Sequence, residues 1–168
     1  MDQDHVDHLA AQWARRRPEL DTSALELSAR VFRLHRILTR GAAAELHEMS
    51  LNEGEFSVLA ALRRAEPPHE LTPTQLYRSL LLSSGAMTHR LDRLERAGHV
   101  VRRPDADDRR RVLVRLTSEG LRAVDRAMDA YAATLARLLS VADEEERAAV
   151  NGHLRAILLC LERDGHPA

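Results

Sequence analysis

The apolar period of this chain changes twice. Up to Gly98 apolar residues recur at spacings of three and four, between His99 and Leu116 that spacing is lost and Val112, Val114 and Leu116 alternate, and from Ser118 the helical spacing returns. Helical side chains repeat every 3.6 residues and strand side chains every 2, so one short two-stranded segment interrupts an otherwise helical chain. That is too little strand for a sheet-based fold. The class implied is mainly α with a small β wing.

The helices are marked by their apolar faces and their ends. Val6, Leu9 and Trp13 give a short first helix that Pro18 stops. Asp21 precedes a long stretch carrying Leu27, Val31, Leu34 and Leu38, which runs toward His47. Phe56, Leu59 and Leu62 mark a third helix, stopped by Pro67-Pro68. LTPTQL, residues 71–76, is a helix start: Thr72 is the N-cap, Pro73 takes the first helical position, Gln75 closes a capping box, and Leu71 and Leu76 form a hydrophobic staple. LLLSSG at 80–85 ends that helix. Ser83 is the next N-cap, with Leu82 and Met87 as its staple, and Met87, Leu91 and Leu94 form the buried stripe of a helix ending at Ala97-Gly98. Two short helices joined by a tight turn make a helix-turn-helix. The free face of the second offers Ser84, Thr88, His89, Arg90 and Arg93, which together with Thr72 and Ser83 at the two helix starts are the candidates to donate to phosphates or base edges in a major groove.

The hairpin follows at once. His99 to Arg103 reads as a strand, Pro104 to Arg110 as an Asp-rich turn, and Val112, Val114 and Leu116 as a second strand, with Val112 and Val114 anchoring the tip. A hairpin after a recognition helix is a wing. Residues 78–115 hold ten arginines and five acids, a net of +5, while the remainder holds fifteen arginines and twenty-one acids, a net of −6. Such clustering is the footprint of a domain that binds nucleic acid. Arg110 is the candidate to enter a minor groove with Asp108 orienting it. Arg109 and Arg111 are placed to touch phosphates or solvent.

Beyond the wing, Leu121, Val124, Met128, Tyr131, Leu135 and Leu138 form a coiled-coil-like seam. Asp143 and Glu146 start a last helix, and Val150, Leu154, Ile157 and Leu161 continue the apolar face. The terminal regions offer more apolar helix surface than a small winged domain can cover, and a second copy of the chain is the natural cover. The organisation expected is N-terminal helices over 1–50 for dimerisation and a ligand pocket, a winged helix-turn-helix domain over 51–117, and C-terminal dimerisation helices over 118–168.

Other features narrow the class. The single cysteine, Cys160, excludes an intrachain disulfide, which suits a reducing cytoplasm, and it is expected to be structural. The N-terminal residues are acidic and unlike a signal peptide, and no apolar run approaches the length of a membrane span. All 25 basic residues are arginine, so a Gly-Lys-Ser/Thr phosphate loop and Schiff-base chemistry are impossible. With no HExxH, CxxC or Gly-rich phosphate loop, no enzyme, cofactor or metal site is expected. His5 and His8, spaced three apart near Asp4 and Asp7, suit either a metal or a solvated terminus.

The order helix, helix-turn-helix, wing, two long helices resembles the MarR family of bacterial transcription regulators. Asp105-Ala-Asp-Asp108-Arg-Arg110, followed by Val114-Arg-Leu116-Thr117 and Gly120, fits the family's wing signature, with Asp107 where the signature has its first Arg. LDRLERAGHVVRR at 91–103 fits as well, with His99 at a position more often Leu. A finer resemblance is to the urate- and organic-acid-responsive subgroup, marked by an extra N-terminal helix carrying a Trp, here Trp13. It implies a ligand set of Trp13, Arg90, Arg102 and an Asp whose position is occupied here by Ser57. The implied ligand is a small anionic or aromatic effector, urate- or organic-acid-like.

Each of these residues has a plainer role open to it. Trp13 suits a core as well as a pocket, Arg102 suits a structural ion pair on its strand, and Thr88, His89 and Arg90 suit a solvated face. Arg90 belongs to both the DNA and the ligand sets, so an anion that captures it would remove a donor from the recognition helix. The function expected is a cytoplasmic, homodimeric, ligand-responsive repressor of double-stranded DNA, with no membrane role. The alternative is an architectural or constitutive DNA-binding protein without an effector.

Overall fold

The computed structural model describes residues 3–80, 84–105, 108 and 111–165. The chain divides into two units, one ending at Gly41 and the other beginning at Ala42. The long helix α2 (Ser23–Glu48) belongs to both.

The first unit consists of α1 (His5–Arg16) and the start of α2. Asp4 caps α1: its Oδ1 accepts from the Val6 and Asp7 amides at 2.6 and 3.0 Å, while its own amide donates to Asp7 Oδ2 at 2.7 Å. Arg30 of α2 reaches both cap carboxylates, Asp4 Oδ2 at 3.0 Å and Asp7 Oδ1 at 2.6 Å, and also Glu26 at 3.4 Å. The Asp7 amide, and after it the Arg30 guanidinium, hold the Asp4 carboxyl down at about 2 against an ordinary 3.8. A lowered carboxyl pKa stabilises the folded form above the ordinary value and loses that contribution as pH falls toward the lowered one. Amide exchange should therefore find α1 equally protected at pH 7 and pH 5, and progressively less so as pH falls from 3.8 toward 2. Asp4→Asn, which keeps the cap but cannot ionise, should remove that dependence. Val6 is buried, whereas Trp13, Leu27, Val31, Phe32, Leu34 and Ile37 stay exposed.

The second unit is built around α3 (Glu53–Arg64), α4 (Pro73–Ser79), α5 (Ser84–Arg96) and α6 (Ser118–Leu139), with strands β1 (Glu70–Leu71), β2 (Val100–Pro104) and β3 (Val112–Leu116). Thr72 caps α4 in the expected capping box with Gln75, and Pro73 stands at the first helical position. Met87, Leu91 and Leu94 are each 1% exposed and pack with Leu46, Leu59, Leu62, Leu76, Val100, Val114 and Val124. Burying side chains of this size contributes about 1.5–3 kcal/mol each, so α5 is fixed by its apolar stripe more than by any surface ion pair. Ser83 and Leu82, expected to start α5, lie outside the described residues.

The hairpin forms as expected, Val100 to Pro104 against Val112 to Leu116. The sheet has a third strand that periodicity does not announce: β1 pairs Glu70 with Arg115 and Leu71 with Val114, giving the order β1-β3-β2 with β3 central. One expectation fails here. Val114 is buried, but Val112 is 43% exposed. It lies at the tip end of β3, beyond the reach of the core, so Val114 and Leu116 hold the wing.

The seam of α6 is also redistributed. Val124, Ala123 and Ala127 are buried in the winged domain's own core, Tyr131 stacks its ring 5.1 Å from that of Phe56, and Met128 is exposed. Asp143 and Glu146 form the expected capping box of α7 (Glu144–Arg163), and no residue of α7 is buried. Val150, Ile157, Leu158 and Leu161 are all exposed, and so is Cys160, which contributes to no core within the single chain. Among the described residues no helix is long and apolar enough to cross a membrane.

Candidate nucleic-acid interface

The buried stripe of α5 turns its opposite face outward. Thr88 and His89 are exposed on it, in the order the helical spacing implies. Ser84 opens the helix, and its side chain, like Ser83, lies outside the described residues. Thr72, also expected to reach DNA, is buried: it accepts from the Gln75 amide at 3.2 Å and lies 2.9 Å from Gln75 Oε1, so its hydroxyl serves the α4 cap.

Arg93 is on the free face but not free. Its Nε lies 2.5 Å from Glu55 Oε1. Glu55 is only 2% exposed, and its second oxygen accepts from the Asn52 amide at 3.0 Å, closing the capping box of α3. One carboxylate thus starts α3 and grips the recognition helix. A buried carboxylate without such a partner would be strongly unfavourable. The sequence signal was available in Asn52-x-x-Glu55, a capping-box pattern, but nothing in it points to Arg93.

The other flank of α5 is tied to the wing. Arg102 Nη1 bonds Asp92 Oδ1 at 2.6 Å and Glu95 Oε2 at 2.9 Å, while the Arg102 amide donates to Glu95 Oε1 at 3.0 Å. Arg102 therefore occupies the structural ion pair open to it. Arg103 of β2 bonds Glu70 of β1 at 2.5 Å. At the tip, the Asp105 amide donates to the Arg111 carbonyl at 3.0 Å and the Arg111 amide to the Asp108 carbonyl at 2.8 Å. Arg111 also lies 3.7 Å from Asp105. The pairing of Asp108 with Arg110, and the placement of Arg109, lie outside the described residues.

A clasp closes the base of the wing. The Thr117 hydroxyl donates to the Gly98 carbonyl at 2.7 Å and accepts from the Gly120 amide at 2.9 Å, capping α6. Gly120 packs directly on the His99 carbonyl, where a Cβ would stand 1.9 Å from the oxygen. The Leu-Thr-x-x-Gly sequence is thus a joint: Thr caps the helix and only Gly lets it approach the backbone.

Of the four expected ligand residues, the structure brings two together. Ser57 and Arg90 line one cleft with Glu53, Gly54 and Leu80. The Arg90 guanidinium lies over the α carbon of Gly54, 2.5 Å from where a Cβ would be. Ser57 Oγ donates to the Glu53 carbonyl at 2.8 Å. Arg102 is not part of that cleft, and Trp13 belongs to the first unit. Asp4 and Asp7, near His5 and His8, are engaged by Arg30, and among the described residues no three His, Cys, Asp or Glu side chains gather as a metal site.

The family model for the MarR family matches residues 48–111. The HTH-type transcriptional regulator PecS of Dickeya dadantii (strain 3937) is 33% identical over 158 residues, covering 94% of this chain and 93% of that protein. The HTH-type transcriptional repressor YetL of Bacillus subtilis (strain 168) is 27% identical over 143 residues, covering 85% of this chain and 83% of that protein. Among solved structures, a mutant MarR from E. coli complexed with operator DNA superimposes with a TM-score of 0.72 at 26% identity, covering 82% of this chain and 96% of that one.

Proposed function

The chain belongs to the MarR family of DNA-binding transcriptional regulators, and on that premise we propose that it is a homodimeric repressor released from its operator by a small anionic or aromatic ligand. The observation that carries the DNA half is the outward face of α5, with Thr88 and His89 exposed beside an arginine-rich wing. The exposed apolar side chains of α7, Val150, Ile157, Leu158 and Leu161, support a second copy as partner. Two-fold symmetry then presents two recognition helices to successive major grooves, about 10 base pairs apart on a pseudo-palindrome. The repressor YetL supports the sign of the regulation.

Release follows from Arg90, which sits on the recognition helix and also lines the cleft beside Ser57. An anion there competes for a guanidinium that would otherwise serve DNA. The test is binding to DNA upstream of the protein's own gene, followed by anisotropy, with and without a panel of aromatic and carboxylic acids. Displacement by one acid supports the proposal, and displacement by none favours the constitutive regulator. Phosphate contacts should also make log affinity fall linearly with log salt, by about 0.9 per phosphate engaged. Equal affinity at roughly 50 and 200 mM salt would exclude an arginine–phosphate interface.

A further inference from the structure

We propose that the cleft beside Arg90 takes an aromatic ring bearing two acidic groups, and that Arg64 is the second anchor. This rests on the ligand-responsive reading above and adds the class of ligand. The cleft of Glu53, Gly54, Ser57, Leu80 and Arg90 adjoins a second one of about 310 Å³, and the two share Glu53, Ser57 and Leu80. The second has an apolar floor of Phe56, Ala60, Met128 and Tyr131, with Arg64 on its wall. Glu53, Ser57, Ala60 and Arg64 are spaced four, three and four residues apart, which puts them on one face of α3.

Geometry and charge point to a two-headed ligand. Arg90 lies over Gly54, and Gly54 is ten residues before Arg64 on the same helix, about 15 Å along its axis. Helical side chains lean toward the N-terminus, which brings the Arg64 head back over the Ala60 turn and shortens that gap. One carboxylate cannot serve both guanidinium groups across such a span, whereas a ring with an acid at each end can. Neither Arg64 nor Arg90 has a carboxylate partner among the described residues, while Arg63, Arg93 and Arg102 all do. Glu53 is the single acid of the cleft against two arginines, and Ser57 adds an uncharged hydroxyl. The half-buried ring of Tyr131, backed by the buried Phe56, gives the ligand ring a surface to lie on. A ligand seated this way joins α3 to α5, the same two helices that Glu55 and Arg93 hold together.

The test is calorimetric binding of benzoate, isophthalate and terephthalate to the intact chain and to Arg64→Gln, Arg90→Gln and Arg122→Gln, the last an exposed α6 arginine that lines neither cleft. Arg64 is exposed, so its variant should melt with the wild type. The wild type should bind terephthalate roughly tenfold more tightly than benzoate, the scale of one charge-assisted contact. Arg64→Gln should bring the two to parity while leaving benzoate unchanged, Arg90→Gln should weaken all three, and Arg122→Gln should change none. A terephthalate preference that survives Arg64→Gln, or no preference at all, overturns the two-anchor proposal and leaves the ligand-responsive reading standing. No binding of any probe overturns the two-anchor proposal alone, whereas binding that Arg90→Gln does not weaken overturns both.

Discussion

Gly120→Ala should destabilise the winged domain by about 3 kcal/mol, the upper range for overpacking. The added carbon would stand 1.9 Å from the His99 carbonyl oxygen and 2.8 Å from its carbon. Both are backbone atoms, which have no rotamer to escape into, so α6 must move off the start of the wing. That movement also loosens the Thr117 hydroxyl from the Gly98 carbonyl. For a chain of this size the melting temperature should fall by roughly 6–12 °C. Gly152→Ala is the control. It lies in α7 with nothing within 4 Å of an added Cβ, so there alanine should stabilise by about 0.5–1 kcal/mol. A Gly120→Ala protein that melts with the wild type would show that α6 does not pack on His99 as described.

Arg93→Ala should cost stability and DNA affinity together. It leaves the Glu55 carboxylate 2% exposed with only the Asn52 amide as partner. Losing a hydrogen bond to a buried charged group costs about 1.5–3 kcal/mol, and the 60% exposure of the Arg93 side chain puts the expectation near the lower end. Because the pair ties α5 to α3, affinity for a specific operator should fall more than affinity for random DNA. A direct phosphate contact would behave otherwise: melting would be unchanged and both affinities would fall alike. Thermal melting and anisotropy on the same variant separate the two roles, and a double-mutant cycle with Glu55→Gln isolates the pair.

The parts legible in the sequence were those written in local patterns. Thr72 to Gln75, Asp143 to Glu146 and the Met87, Leu91, Leu94 stripe each declare themselves within a few residues, and the structure forms all three. The hairpin was legible because alternation over Val112 to Leu116 differs from helical spacing, although alternation could not tell that Val112 lies past the edge of the core. β1 was not legible, since two residues carry no period. The ion pairs were hidden for another reason. Glu55 and Arg93 are 38 positions apart, and spacing along one helix puts Arg93 on the free face without saying where a long side chain bends. Arg64 carries no signal of its own in the sequence, and only the fold places it on the wall of a cleft that Phe56 and Ser57 also line.

The central position of β3 has a mechanical consequence. A hairpin attached by one edge can peel open a bond at a time, but β3 is bonded to β2 along five residue pairs and to β1 at Glu70 and Leu71. Arg103 of β2 reaches across to Glu70, so the outer strands are also linked to each other. A tug on the wing tip therefore loads two ladders in shear. The strain runs through Leu71 into Thr72, the residue on which α4 begins. The wing is in effect a lever whose fulcrum is the first turn of α4, so a load on its tip is delivered to the start of the helix-turn-helix.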